Sequence, residues 1–283
     1  MKTTKLVTML AVLAMTSVAT AAEDGFKISG DFAASYFYEG AHGTNNGVGT
    51  GAANDLNNNK FSLDMAELNI EKSLGNSGIN IGIAYGNWAN TFNSVIDSVT
   101  TPGVKPTLNV TNTYFWHKIG DTGITAKLGK FETGIGAETY NFMDNLNYTR
   151  SYGFGLQPLF VTGLNVMYSQ TMWDAGVTIG NSTNNTDYDE NHNRTVQISA
   201  AVRPIEGLAV NVNYLFGKDG ADGLAQTDLT VLNGVVNYKW NMMNFALDYT
   251  SRSTDTVIGP SAKVDDSSIA LYAGYGMDNW GAG

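Results

Sequence analysis

The sequence predicts an all-β protein: a transmembrane antiparallel β-barrel with about twelve strands visible. Three observations carry that prediction. A segment of about ten residues, alternating apolar and polar and closed by aromatics, recurs from Phe26 onward. The connections alternate between tight turns and long polar stretches, and the whole follows an export signal. Side chains on a strand point alternately to opposite faces, so each segment has one apolar and one polar face. Closed into a barrel, such a ribbon has lipid outside and water inside.

The first 21 residues read as a secretory signal peptide, with residues 22–283 left for the barrel. Lys2 and Lys5 give a positive start, Leu6 to Met15 is mostly apolar, and Ala19-Thr20-Ala21 is an A-x-A cleavage site. Cleavage moves the formal charge from −10 to about −12. No other stretch approaches the ~18 apolar residues of a membrane helix, so any spanning must be by strands. Cysteine is absent, which excludes a disulfide framework and a lipid-anchored cysteine. The acidic balance and the lack of Lys/Arg clusters exclude nucleic acid as a partner.

The strands fall at 26–39, 60–72, 79–88, 108–118, 123–131, 160–170, 173–181, 194–203, 208–217, 227–239, 243–252 and 267–276. Long polar connections (40–59, 89–107, 132–159, 182–193, 218–226, 253–266) take turns with tight ones at 75–78, 120–123, 172–174, 204–207 and 241–242. Short turns on one side and long loops on the other suit an outer-membrane barrel; a soluble sandwich has no such parity. Within 61–70 the apolar phase shifts between Met65 and Ala66, which a β-bulge would explain. The C-terminal Trp280-Gly281-Ala282-Gly283 follows a turn-like stretch where a further strand is expected, so the chain reads as C-terminally incomplete.

Aromatics gather toward the strand ends, among them Tyr36 and Tyr38, and those at the headgroup level are expected to be Tyr36, Trp88, Trp116, Trp173, Trp240 and Trp280. The polar phase assigns Lys27, Asp31, Lys127, Asn211, Asn213, Asn244 and Asp248 to the lumen. The opposite phase is apolar, as in Ile79, Ile81, Ile83 and Tyr85.

The longest connection differs from the rest. Gly129-Lys130-Phe131-Glu132-Thr133-Gly134-Ile135-Gly136-Ala137-Glu138-Thr139-Tyr140-Asn141 leads into Asn147-Tyr148-Thr149-Arg150-Ser151-Tyr152 and on to Pro158. This resembles the centre of the OmpL-like β-barrel porin family of Gram-negative outer membranes. That pattern has a Gly-Lys-Phe strand end, a Gly-x-Glu element, an Asn, a Ser-Arg-Ser-like tripeptide and a Pro before the next strand. Thr149-Arg150-Ser151 stands at the tripeptide, with Thr for the first Ser. The resemblance covers most of the mature chain and implies a porin-like barrel of undefined substrate. From the residues alone, loop 132–159 could fold inward or lie on the surface; the resemblance favours an inward constriction. Glu132, Glu138, Asp144 and Arg150 would then set a field across the narrowing, with Arg150 held by Glu138 or Asp144.

Catalysis finds little support. The histidines are His42, His117 and His192, and none sits in a Ser–His–carboxylate pattern. Asp187, Asp189 and Glu190, and the run 219–223, lack the ligand spacing of a calcium loop, so no metal or other cofactor is expected. The expected function is a water-filled outer-membrane channel passing small hydrophilic solutes or ions, with membrane lipid as its surroundings and a homo-oligomer left open. The alternative is a secreted or periplasmic soluble β-sheet binding protein.

Overall fold

The computed structural model describes residues 20–21, 26–37, 60–89, 108–181, 183, 193–219, 226–256 and 263–276. Expectations for the signal peptide before Thr20, Tyr38, His42, His192, Trp280, the acidic clusters at 187–190 and 220–223 and the C-terminal end lie outside them.

One antiparallel sheet holds all the strands. In chain order they are β1 (Thr20–Ala21), β2 (Phe26–Phe37), β3 (Lys60–Leu74), β4 (Ser77–Tyr85), β5 (Asn109–Val110), β6 (Thr113–Lys118) and β7 (Ile124–Glu132). After a single 3-10 turn (Gly153–Leu156) come β8 (Phe160–Ser169), β9 (Trp173–Gly180), β10 (Thr195–Val202), β11 (Leu208–Asp219), β12 (Thr227–Trp240), β13 (Met243–Thr256) and β14 (Lys263–Tyr275). Each long strand pairs with its sequence neighbours, a simple up-and-down meander that leaves the sheet open beyond β14 among the described residues. The tight connections lie where the sequence put them; at Gly75 the chain takes φ +59°, which glycine reaches without strain.

Three boundaries differ from expectation. The long connection expected over 253–266 is mostly ladder, because β13 runs on to Thr256 and pairs with β14, which begins at Lys263. The segment expected as one strand over 108–118 is broken: Thr111 gives its hydroxyl to Glu67 at 2.9 Å, and Asn112 turns its amide to Glu132. The expected strand 79–88 stops at Tyr85, because Gly86 (φ +135°) turns the chain inward and carries Trp88 with it. The bulge in β3 is present, one residue earlier than the phase shift suggested. Ala33 faces Met65 and Ala34 faces Leu63, so Asp64 has no partner across the ladder. Asp64 and Met65 therefore both point to the buried side.

The two faces of the sheet have inverted polarity. Phe32, Ile79, Ile81, Leu128, Leu164, Val177, Ile179, Leu232, Leu247, Ile269 and Leu271 stand exposed on the outer face. The buried residues include Ser35, Asp64, Glu67, Thr178, Gln197, Asn213, Asn233, Asp248 and Thr250. In β13 the alternation is plain: Phe245, Leu247 and Tyr249 are exposed, while Ala246, Asp248 and Thr250 are buried. A water-soluble protein puts its apolar side chains inside; this sheet puts them outside.

Candidate functional site: a strap across the polar face

The polar face is covered by residues 133–159, which run across it as a strap. Its first part is fixed to the later strands. Gln197 Nε2 donates to the Thr133 carbonyl at 2.8 Å, Asn213 Nδ2 to the Gly134 carbonyl at 3.3 Å, and Gly136 N to Asn233 Oδ1 at 3.0 Å. Asp248 then ties two points of the strap to the wall. Its Oδ2 accepts from Ala137 N at 2.8 Å and Gln157 Nε2 at 3.1 Å; its Oδ1 accepts from Asn233 Nδ2 at 2.7 Å and Thr250 Oγ1 at 3.1 Å. Gly136 has φ +93°, and a Cβ there would overlap the Gln157 side chain, so only glycine lets the two limbs meet.

The far end of the strap reaches β2 and β3. Asn141 Nδ2 donates to Asp31, and the Tyr148 hydroxyl to Asp64, which also accepts from Ser62 Oγ at 2.5 Å. Tyr140, Phe142, Phe154, Leu159 and Phe160 pack with Trp88 against Ala33, Met65 and Ala84, small or flexible residues that leave room for the rings. A second contact joins Ile135 to the inward Leu215, Leu229 and Val231.

Arg150 sits at the centre of the strap and is 3% exposed. Its guanidinium gives five hydrogen bonds, all to main-chain carbonyls: Thr139 (3.2 Å), Tyr140 (3.4 Å), Asn141 (3.1 Å), Asn147 (3.3 Å) and Tyr148 (3.1 Å). The rings of Phe142, Trp88 and Phe154 lie 4.8, 5.4 and 5.5 Å from it. This corrects the expectation that a carboxylate holds Arg150. Glu138 instead accepts from Ser151 N at 2.9 and 3.1 Å and from Ser151 Oγ at 2.5 Å, and Tyr272 OH donates to that same Oγ at 3.0 Å. Burial among the rings lowers the Arg150 pKa from its ordinary value to about 10, offset in part by the Glu138 charge, so it is protonated at neutral pH. Burial likewise raises the phenols of Tyr140 and Tyr148, the latter helped by its bond to Asp64.

Glu132 ends β7, bound by Asn112 Nδ2 at 2.8 Å, while Asp144 is exposed on the strap. Asp31, Asn213 and Asp248 lie on the inner face bonded to the strap; Asn213 and Asp248 are buried there and Asp31 half-buried. Lys27, Lys127, Asn211 and Asn244 share that inner phase. Of the expected interface aromatics, Tyr36, Trp173 and Trp240 lie on the outer phase; Trp173 is 42% and Trp240 57% exposed. Two do not. Trp88 is 3% exposed inside the strap's core, where its Nε1 donates to the Tyr140 carbonyl at 3.0 Å. Trp116 is opposite Gly78 and covers it from the inner side, since a Cβ at Gly78 would meet the indole.

The sequence offers Trp88 as a belt aromatic and gives no role to Asp64, Asn233 and Gln157, yet all four are part of the strap's anchorage. The bulge was the available signal for Asp64; the others carry none in a single sequence. His117 Nδ1 lies 2.7 Å from Ser77 Oγ at an exposed tight-turn end, and no carboxylate bonds that ring. Among the described residues no group of three or more His, Cys, Asp or Glu side chains could hold a metal ion.

A sheet apolar outside and polar inside, with a long connection strapped across the polar side, is the arrangement to compare with known families. The family described as "Putative beta-barrel porin-2, OmpL-like" matches residues 25–282. The chain belongs to this porin family. No curated protein matches it. The inverted polarity is consistent with the family: a β-barrel of this kind is apolar outside and polar inside, and the strap covers the polar face of the sheet.

Proposed function

We propose that this porin lies in the outer membrane and lets small hydrophilic solutes and ions pass by passive diffusion through the space the strap leaves along the wall. The observation that carries the reading is the inverted polarity of the sheet. An outer face of Ile, Leu, Val and Phe is stable only against lipid, which weighs against the soluble binding-protein reading. The N-terminal signal supports export, and the porin family supports the outer membrane as the destination.

The lumen side favours cations. Asp31, Asp64, Glu67, Glu132, Glu138, Asp144 and Asp248 lie along the inner wall and strap, against Lys27, Lys127, Arg150 and Lys239. Carboxylates around a pore favour cations over anions. Reconstituted in a planar bilayer, the full chain should show stepwise conductance, and its reversal potential in a salt gradient should carry the sign of cation preference. Heating should also shift its mobility on an SDS gel, as for a closed barrel. Absence of conductance in a protein that shows the gel shift would reject the channel; anion preference would reject the selectivity.

A further inference from the structure

We infer that the cavity between the strap and strands β12 to β14 binds a small zwitterion carrying an ammonium and a carboxylate, a solute of the amino-acid class. The inference rests on the channel reading only for how the solute arrives. The cavity has a volume of about 230 Å³. On the strap side it is lined by Glu138, Asp144 and Asn147, and on the wall side by Asn237, Lys239 and Asn244.

Opposite charges therefore face one cavity from its two sides. Among the described residues neither the Asp144 carboxylate nor the Lys239 ammonium makes an ion pair or hydrogen bond, although pairing with each other would be the simplest way to satisfy both. Glu138 spends its oxygens on Ser151, yet its charge adds to the negative side. Lys239 is fixed in place by its strand, as the ladder partner of Asn244 beside the tight turn 241–242. Around them the side-chain amides of Asn147, Asn237 and Asn244 also bond to no described residue. Each offers two donors and one acceptor to whatever enters.

A zwitterion fits this arrangement with its ammonium toward Asp144 and its carboxylate toward Lys239. A neutral sugar could use the amides but would leave both charges unmatched, so the site discriminates by charge pattern as well as by size. The charges are water-exposed, so each contact strengthens binding only modestly.

Saturation-transfer NMR on the full chain folded in detergent tests this, with glycylglycine as the probe and glucose as the control. Saturable binding of glycylglycine, weaker for glucose, is expected. Asp144→Asn and Lys239→Gln should each weaken glycylglycine about two- to fivefold. Exchanging the charges (Asp144→Lys with Lys239→Asp) should restore most of that loss, because a zwitterion can bind reversed. Equal binding of glucose, or neutralised variants that bind like the wild type, would overturn the site. The readout needs no current: a protein that binds the dipeptide but does not conduct keeps the site and rejects the channel, and the converse result rejects the site alone.

Discussion

Arg150 and Trp88 share one acceptor. The Trp88 indole N–H and the Arg150 Nη2 both donate to the carbonyl of Tyr140, at 3.0 and 3.4 Å, while the guanidinium lies over the indole ring at 5.4 Å. A side chain from the turn after β4 thus closes the coordination of a cation that belongs to the strap. The carbonyls around Arg150 come from residues 139–141 and 147–148, so its charge gathers two passes of the strap around one point. The cost of burying a cation is met by carbonyl dipoles and ring faces.

Arg150→Ala should release the strap without dissolving the barrel. It removes a donor from five carbonyls. Those of Thr139, Tyr140 and Asn141 keep Asn145, Trp88 or Thr139 as donors, so the loss falls mainly on Asn147 and Tyr148, where a carbonyl left unsatisfied costs about 1–3 kcal/mol if water does not reach it. Single-channel conductance should rise and current noise increase, with the heat-shifted gel band kept because the strand ladders do not involve Arg150. Arg150→Lys keeps the charge but has three donors where five are used, so it should fall between. Glu138→Gln, which leaves the carbonyl cage intact, should change conductance less than Arg150→Ala. Equal effects of the two would restore the carboxylate as the holder of Arg150.

Asp248→Ala should loosen the strap at its other end. One carboxylate there takes four hydrogen bonds, two from the strap and two from the wall. Bonds to a charged acceptor are worth about 1.5–3 kcal/mol each, so their loss outweighs the relief from leaving a charge unburied. Limited proteolysis within 133–159 should quicken, and conductance should rise. A strap as resistant as in the wild type would mean that the aromatic cluster alone holds it.

The strands were legible because a period of two is written directly into the residues: which side chains face lipid follows from alternation alone, as at Leu247, Asp248 and Tyr249. Even the bulge showed, since one extra residue flips the phase at Asp64 and Met65. The strap was legible as an unusual segment, but its anchorage was not. Trp88 has the signature of a belt aromatic, an indole at a strand end, and only the positive φ of Gly86 sends it inward. Trp116 failed likewise, because its phase depends on the break at Thr111 and Asn112. Arg150 was expected to seek a carboxylate because carboxylates are visible in a sequence. The carbonyls it found belong to every residue, and only the fold decides where they converge.

Alkaline pH should weaken the strap through Tyr140 and Tyr148. Both phenols are raised above their ordinary value of about 10 by burial. Between that value and the folded one, the released chain has lost its proton and the folded strap has kept it. For each phenol the unfolded side then binds fewer protons. Arg150, lowered to about 10, acts the other way over the same range, but two phenols outweigh one guanidinium, so stability falls as pH rises from about 10. Strap release, followed by proteolysis or channel noise, should set in above that pH. The Tyr140→Phe, Tyr148→Phe double variant should show less of it, at the cost of the Tyr148 bond to Asp64.

Charge placed on the two faces of the sheet should have opposite consequences. Leu247 is 41% exposed at the middle of β13, between Val236 and Leu271 on the neighbouring strands, both exposed. In the barrel it faces the acyl chains, where an arginine costs about 2–4 kcal/mol near the bilayer midplane. Leu247→Arg should therefore lower the fraction of chain that folds into vesicles and shows the heat-shifted band. Asn211 lies on the opposite phase of β11, lining an inner cavity of about 180 Å³ beside Asp174 and Ser199. Asn211→Arg meets water and a carboxylate there, so folding should be close to wild type. Its effect should appear in the current instead, as a reversal potential shifted toward anions. If Leu247→Arg folded as well as Asn211→Arg, the exposed apolar face would not be the lipid face, and the membrane orientation drawn from it would fail.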